Sequence, residues 1–249
     1  KRAHPVGDGI QALARHLEMG GEPLRASDAY LGAAGSAVGV EVGRGQDGGL
    51  RFGHRLGGPR TTSDVSLEEA EGFVRHAEEL VDRHGDPRRA HETATTAGRI
   101  LMYFGDFRRA ERYHRRALTM PLTAGGEPSR LVSLAQLAKI IAFSGDAAEA
   151  RAILDTADAL ASGVDDPDAL GQLLRCRGQV HYTAGDMEQT IELGLRALEI
   201  AEEHGFTSEV IENLHNVGDA HLWAGDLEKA HRFLSRALSM SRQAGSDLD

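Results

Sequence analysis

A Gly-Asp dipeptide recurs along this 249-residue chain at a constant spacing of 40 residues. A period of this length indicates supersecondary units that stack on their neighbours, so it must be recognised before any local pattern is interpreted. Because four phased copies are hard to attribute to chance, the period constrains the fold more than any other feature. The copies are Gly105-Asp106, Gly145-Asp146, Gly185-Asp186 and Gly225-Asp226.

Small residues keep the same phase. Five residues after each glycine the chain has Ala or Thr, and twelve residues after it the chain has Ala. Stepping back 40 residues from Gly105 reaches Val65, where the same offsets give Ala70 and Ala77, so a fifth unit exists without its glycine. The in-phase residues of the complete units are Ala110, Ala150, Thr190 and Ala230, then Ala117, Ala157, Ala197 and Ala237.

Each Gly-Asp predicts a turn between two helices. Glycine tolerates the left-handed conformation that ends a helix, and an aspartate side chain caps the N-terminus of the next helix. Glu149 and Gln189 follow their aspartates by three residues, which is the spacing of a capping box. Alanines seven residues apart on the second helix allow the first helix to approach closely. Each 40-residue unit is therefore predicted to be a helical hairpin.

A second series of signals predicts where the other helices end and begin. Together the signals predict ten helices, although the first helix of the Val65 unit has no clear signal of its own. Such hairpins cannot bury their apolar faces alone, so they are expected to stack into an all-α solenoid. The stop signals are Gly85, Gly125, Gly163, Gly205 and Gly245, and the start signals are Asp86-Pro87, Glu127-Pro128, Asp166-Pro167 and Thr207-Ser208.

The stretch Ala197 to Ala230, ALEIAEEHGFTSEVIENLHNVGDAHLWAGDLEKA, resembles the tetratricopeptide repeat in its 40-residue variety from bacterial signalling proteins. The resemblance covers about residues 64 to 249 and implies a right-handed solenoid of antiparallel helical hairpins, with five repeats over residues 63–249. His181 and His221 stand where the family usually has Tyr, and Arg177 occupies an apolar position. The family's first-helix core positions correspond to Leu134, Leu137, Ala138 and Ile141, and to Leu214, Val217, Gly218 and His221.

Residues 1–38 are expected to form a separate helical segment, a degenerate first repeat. Gly21, Ala26, Tyr30 and Ala33 have repeat-like offsets but are out of phase with the later units. The segment resembles the one that opens the repeat arrays of large bacterial signalling ATPases and kinase-linked regulators. The chain begins at Lys1 rather than Met, so we expect it to be part of a longer protein.

Residues 39–62 are predicted to be a Gly-rich flexible loop, because they hold too many glycines for a stable helix and too few apolar residues for a core. Residues 43 to 48, GRGQDG, do satisfy G-x-G-x-x-G after a strand-like Val38 to Val42. A phosphate-binding loop needs a helix to open directly after it, and none is predicted here. A dinucleotide site is therefore not expected.

Composition and motifs argue against catalysis and against several classes of partner. The chain has no G-x-x-x-x-G-K-[ST], H-E-x-x-H or G-x-S-x-G motif, so we expect no catalytic residue, cofactor or metal. Cys176 and the pair His181 and His221 are interpreted as packing residues, and the acidic run at 165–168 as a helix cap. A net charge of -10 disfavours nucleic acid and anionic lipid. A single cysteine and the lack of an apolar span indicate a cytoplasmic protein.

A second face of the predicted first helices carries aromatic rings edged by basic residues. In tetratricopeptide repeats the matching positions line the concave groove that holds peptides or partner helices, and aromatic residues beside Arg are typical of interface hot spots. The alternative is that the rings wedge between adjacent first helices and set their packing. The predicted groove residues are Arg99, Met102, Tyr103, Lys139, Phe143, Arg175, Gln179, Tyr182, His215, Asp219, Leu222 and Trp223.

These patterns predict a non-enzymatic scaffold or sensor module that binds a peptide, a partner helix or another domain of its parent chain in the groove. The alternative is the C-terminal regulatory part of a multidomain bacterial signalling ATPase, kinase or cyclase. Sensing of a small ligand ranks last, since an open solenoid seldom encloses a pocket. A last repeat without a polar cap would expose an apolar face, so self-association of the isolated chain is a further expectation.

Overall fold

The computed structural model describes residues 6–36, 40–44, 50–54, 67–121 and 125–246. The chain divides into two compact units, Lys1–Thr123 and Ala124–Asp249, and each is treated on its own below.

The described residues of the first unit form five helices and a pair of strands. These are α1 (Val6–Met19), α2 (Pro23–Ser36), β1 (Val40–Arg44), β2 (Leu50–His54), α3 (Leu67–His84), α4 (Pro87–Tyr103) and α5 (Phe107–Thr119). The described residues of the second unit form six helices. These are α6 (Glu127–Phe143), α7 (Ala147–Ala161), α8 (Pro167–Thr183), α9 (Met187–Glu203), α10 (Thr207–Trp223) and α11 (Leu227–Ser246).

The predicted Gly-Asp turns are present, and the all-α architecture of helical hairpins is confirmed. At the α8–α9 turn Gly185 has φ 80°, and the Asp186 amide donates to the carbonyl of His181 at 3.0 Å, which closes the end of α8. The Asp186 carboxylate then accepts the Gln189 amide at 3.2 Å and caps α9. The Gln189 side chain donates instead to Glu192, so only one half of the predicted capping box forms here.

Close approach within the hairpins depends on small residues. The in-phase alanines of α5, α7 and α11 are buried at both predicted offsets. On the first helices, a Cβ at Gly98 would lie 2.7 Å from Nε2 of His114, and a Cβ at Gly218 would lie 2.7 Å from Cγ of Leu234. The residue seven positions before the turn glycine therefore has to be small, because the second helix occupies the space that a side chain would need.

The sequence has no clear signal for the first helix of the Val65 unit. In the structure, helix α2 takes that position. It packs on both α1 and α3, and Ser27 Oγ donates to the carbonyl of Ala77 in α3 at 3.1 Å. Its Ala26, Tyr30 and Leu31 share a buried cluster with Val74. Val65 itself lies outside the described residues. Because 30 residues separate Ser36 from Leu67, a repeat search at fixed spacing misses this hairpin.

Part of the predicted Gly-rich loop is ordered into strands. Residues 40–44 and 50–54 pair as antiparallel β1 and β2, with Val40 opposite His54 and Arg44 opposite Leu50. The prediction of a loop over 39–62 is therefore wrong for these ten residues, since alternating β-branched and other residues at 40–44 outweigh the glycine content. Gly43 and Arg44 of the GRGQDG stretch belong to β1, while residues 45–48 lie outside the described residues.

One predicted stop is also wrong. Helix α11 runs from Leu227 to Ser246 and so passes through Gly245, where the sequence predicted its end. Glycine in a helix interior costs only about 1 kcal/mol relative to alanine, so it does not end a helix whose other residues favour the conformation.

Gly218→Ala is predicted to lower the free energy of unfolding. The new methyl group would overlap Leu234, and overpacking of a tight core typically costs about 1–3 kcal/mol, more than the gain of about 1 kcal/mol expected for Ala over Gly in a helix. Urea unfolding measures the change. Gly171→Ala in α8 is the matched control, because its Cβ would meet Cγ2 of Ile200 at an ordinary 3.7 Å. Equal stability of the two variants would contradict the packing argument.

The stability of the fold is predicted to fall as the pH drops below about 6.5, the usual pKa of histidine, with His221 as one source. The His221 ring stacks on the Phe233 ring, with 5.5 Å between the ring centroids. Burial, followed by the charge of Lys229, lowers the pKa of His221, and the Asp226 carboxylate opposes this only in part. The unfolded chain therefore takes up the proton before the folded protein does, so acid favours unfolding. His221→Gln should reduce the shift in urea midpoint between pH 7.5 and 5.5, and an unchanged shift would refute this assignment.

Candidate partner-binding surface

In the first unit, the residues predicted to line a groove belong to α4 and are mostly covered. Arg99 is buried, and Met102 and Tyr103 are half-buried. Tyr103 packs against the hydrophobic cluster that α1, α2 and α3 share. Tyr103 therefore fits the alternative in which the rings pack between helices better than it fits a contact with a partner, because its ring is part of the core packing.

In the second unit, the inner faces of α8 and α10 are joined by a ladder of side-chain pairs. The Arg175 guanidinium forms an ion pair with Glu212, and Gln179 Nε2 donates to Asn216 Oδ1 at 3.4 Å. One turn further along, the Trp223 side chain lies close enough to Tyr182 to lower the pKa of its hydroxyl. Arg175 is only 6% exposed. Two of the predicted groove residues, Arg175 and Gln179, therefore link α8 to α10.

Tyr182 and Asp219 form the electrostatic part of this ladder. Burial, followed by the negative charge of Asp219, raises the pKa of Tyr182, whereas the Trp223 side chain acts in the opposite direction. Both residues are half-buried. Burial and the charge of Asp219 thus favour the neutral Tyr182 hydroxyl, and the neighbouring Trp223 side chain is 69% exposed.

Apolar side chains at the C-terminal ends of α6 and α10 face solvent. Trp223 is 69% exposed, Phe143 is 47% exposed and Leu222 is 46% exposed. Helix α6 packs on α8, and α8 is bound to α10 by the ladder, so these ends lie along one edge of the second unit. We call Phe143, Leu222 and Trp223 the apolar rim. Among the other predicted residues, Lys139 is buried and His215 is exposed.

Two buried amides near the N-terminal ends of α8 and α10 were not predicted from the sequence. Gln172 and Asn213 are 4% and 2% exposed, yet Gln172 Oε1 and Asn213 Oδ1 have no hydrogen-bond partner. Both lie one turn or more before the positions where the aromatic pattern occurs. The only signal in the sequence is that each is an amide at a helix position where packing favours an apolar residue.

The residues considered for chemistry have structural roles. Cys176 is buried, and no group of three or more His, Cys, Asp or Glu within the described ranges could hold a metal. His181 and His221 each face the aspartate of their own turn. Nδ1 of His181 lies 3.1 Å from Oδ2 of Asp186, and Nδ1 of His221 lies 4.0 Å from Oδ2 of Asp226. Asp166 accepts the Ala169 amide at 2.8 Å, as predicted for a cap. In the part of the chain described, no helix is long and apolar enough to cross a membrane.

Comparison with known proteins supports the repeat assignment. The profile of the tetratricopeptide repeat matches residues 169–243. None of the curated proteins matches the chain significantly in sequence. Solved structures match at low sequence identity, which shows a shared fold alone.

Among them, a Rap protein complexed with Competence and Sporulation Factor is 17% identical, with a TM-score of 0.64 over 72% of this chain and 50% of that one. Aspartyl phosphate phosphatase F from Bacillus subtilis is 18% identical, with a TM-score of 0.57 over 73% of this chain and 48% of that one. A STAND signal-transduction ATPase with a tetratricopeptide repeat sensor, from Pyrococcus horikoshii, is 14% identical, with a TM-score of 0.60 over 98% of this chain and 35% of that one.

The chain therefore spans about half the length of the first two of these proteins. The matched profile coincides with α8 to α11, the helices that carry the ladder and most of the apolar rim. The profile identifies residues 169–243, which span α8 to α11, as tetratricopeptide repeats.

Proposed function

We propose that this protein is a non-enzymatic binding module whose second unit captures an extended peptide or a helix of a partner protein at the apolar rim. The observation that carries the proposal is the exposure of Trp223, Phe143 and Leu222 along one edge of that unit. Exposed apolar side chains that cluster mark interaction sites, and aromatic residues such as Trp are enriched among the hot spots that dominate binding energy at protein interfaces.

The ladder gives this surface its rigidity. Trp223 lies beside Tyr182, whose pKa it lowers, so this neighbour limits the conformational freedom that Trp223 loses when a partner covers its ring. Arg175 and Gln179 support the surface from behind without contacting the partner, since their polar groups are already paired with α10. We therefore assign recognition to the apolar rim, and positioning to Arg175, Gln179 and Tyr182.

A second candidate is that the chain is the sensor arm of a larger signalling enzyme that acts in the cytoplasm. The similarity to the STAND ATPase supports this candidate, because that protein has a tetratricopeptide repeat sensor and nearly all of the present chain aligns with part of it. In that case the partner at the apolar rim would be another domain of the same protein. Both candidates use the same surface and differ only in where the bound segment comes from.

Trp223→Ala combined with Phe143→Ala is predicted to weaken binding of peptides selected against the wild-type protein from a random display library. Loss of hot-spot side chains costs about 2 kcal/mol or more, so the dissociation constant should rise at least about thirtyfold. Isothermal titration measures it. The thermal midpoint should change less than the affinity, because Trp223 is 69% exposed and Phe143 is 47% exposed.

Leu195→Ala is the matched control. Leu195 is also an exposed apolar residue, 40% accessible, but it lies on the second helix α9 rather than at the apolar rim. Its replacement should leave peptide affinity unchanged. Equal weakening by the control and the rim variant, or full affinity in the rim variant, would overturn the proposal.

A further inference from the structure

A small cleft opens between α8, α9 and the start of α10, away from the apolar rim. Its walls include Gln172 and Arg175 of α8 and Asn213 of α10, and its floor is apolar, with Ile200 and Phe206. The space is sufficient for about one water-sized group. The rim residues lie at the opposite ends of α6 and α10, so the cleft is a separate feature of the same unit.

Two of the residues that line this cleft have an amide oxygen that lacks the hydrogen bond that buried acceptors normally receive. Gln172 donates through Nε2 to Asp168 Oδ2 at 3.0 Å, which fixes its amide so that Oε1 remains the acceptor. Oε1 of Gln172 and Oδ1 of Asn213 are both buried without a partner. A buried polar atom left unpaired costs about 1–3 kcal/mol, so a group that donates to both oxygens would bind favourably.

The charge around the cleft is negative. Asp168 and Glu209 line it, against one cation, Arg175. The guanidinium of Arg175 is compensated by its ion pair with Glu212, whose carboxylate lies next to the cleft on α10. A bound group must therefore supply hydrogen-bond donors and is favoured by a positive charge.

We propose that this cleft binds a primary ammonium group, from a lysine side chain or from the N-terminus of a peptide. An ammonium carries three donors and one positive charge, and its head is about the size of a water molecule, whereas a guanidinium is a larger planar group. The two amide oxygens accept its hydrogen bonds, and the carboxylates of Asp168 and Glu209 balance its charge. The apolar floor contacts the adjoining methylene groups.

This assignment goes beyond the proposed function and does not depend on it, because small amines can test it without any partner. The full chain is titrated with N-acetyl-lysine N-methylamide, which offers a side-chain ammonium, and separately with alaninamide, which offers an α-ammonium. The readout is the NMR chemical shift of the side-chain NH2 groups of Gln172 and Asn213. At least one probe is expected to shift both signals saturably, and the stronger one identifies the source.

Two control probes separate charge and donors from simple contact. N-acetyl-norleucine N-methylamide has the methylene chain without the ammonium, and the trimethyllysine analogue keeps the charge but has no ammonium donors. Neither is expected to shift the two signals saturably. Equal shifts with the trimethylated probe, or no saturable shift with either ammonium probe at tens of millimolar concentration, would overturn the proposal.

Gln172→Met combined with Asn213→Leu supplies the protein control, because both replacements preserve approximate size and remove the acceptors. The loss of two unpaired buried acceptors should offset the loss of the hydrogen bond from Gln172 to Asp168, so the urea midpoint should change little. Binding of the ammonium probe, followed in the variant through the backbone amide signals of Gly171 and Phe206, should be lost. Retained binding in a folded variant would refute the role of the two oxygens, whatever the outcome of the tests on the apolar rim.

Discussion

The rest of the structure depends on the close contact between the two helices of each hairpin. A hairpin of two amphipathic helices can bury its apolar faces only if the helices approach within a few ångströms, and this requires a small residue where they meet. Gly98 meets His114 and Gly218 meets Leu234 at the same position of their respective repeats. The turn glycines determine where the chain reverses, but these contacts determine how far apart the helices lie after the reversal.

This constraint also explains which side chains reach the surface of the second unit. Helix α6 packs against both α7 and α8. Along α6 every residue from Leu131 to Ala142 is buried, whether polar or apolar. Phe143, the last residue of α6 before the turn, is exposed, and so is Trp223 at the end of α10.

The turns could be predicted from the sequence because they are properties of a phase, whereas the exposure of the rim could not, since Tyr103 has the same phase as Phe143 and Trp223 and is half-buried. Gly185 and Asp186 need particular backbone conformations that few other residues supply, so their spacing indicates the helix boundaries directly. The pairing of Arg175 with Glu212 could not be predicted in this way. It joins residues 37 positions apart, so it depends on the offset between neighbouring repeats rather than on the repeat itself.

The same limit applies to α2 and to the cleft. Helix α2 packs on α3 across an inserted segment, and no fixed period links Ser27 to Ala77. Gln172 and Asn213 occupy positions where the packed helices favour apolar residues, and each leaves an oxygen unpaired at a cost that methionine or leucine would avoid. The two residues line one cleft together with Asp168 and Glu209, and the proposed ammonium site accounts for this arrangement.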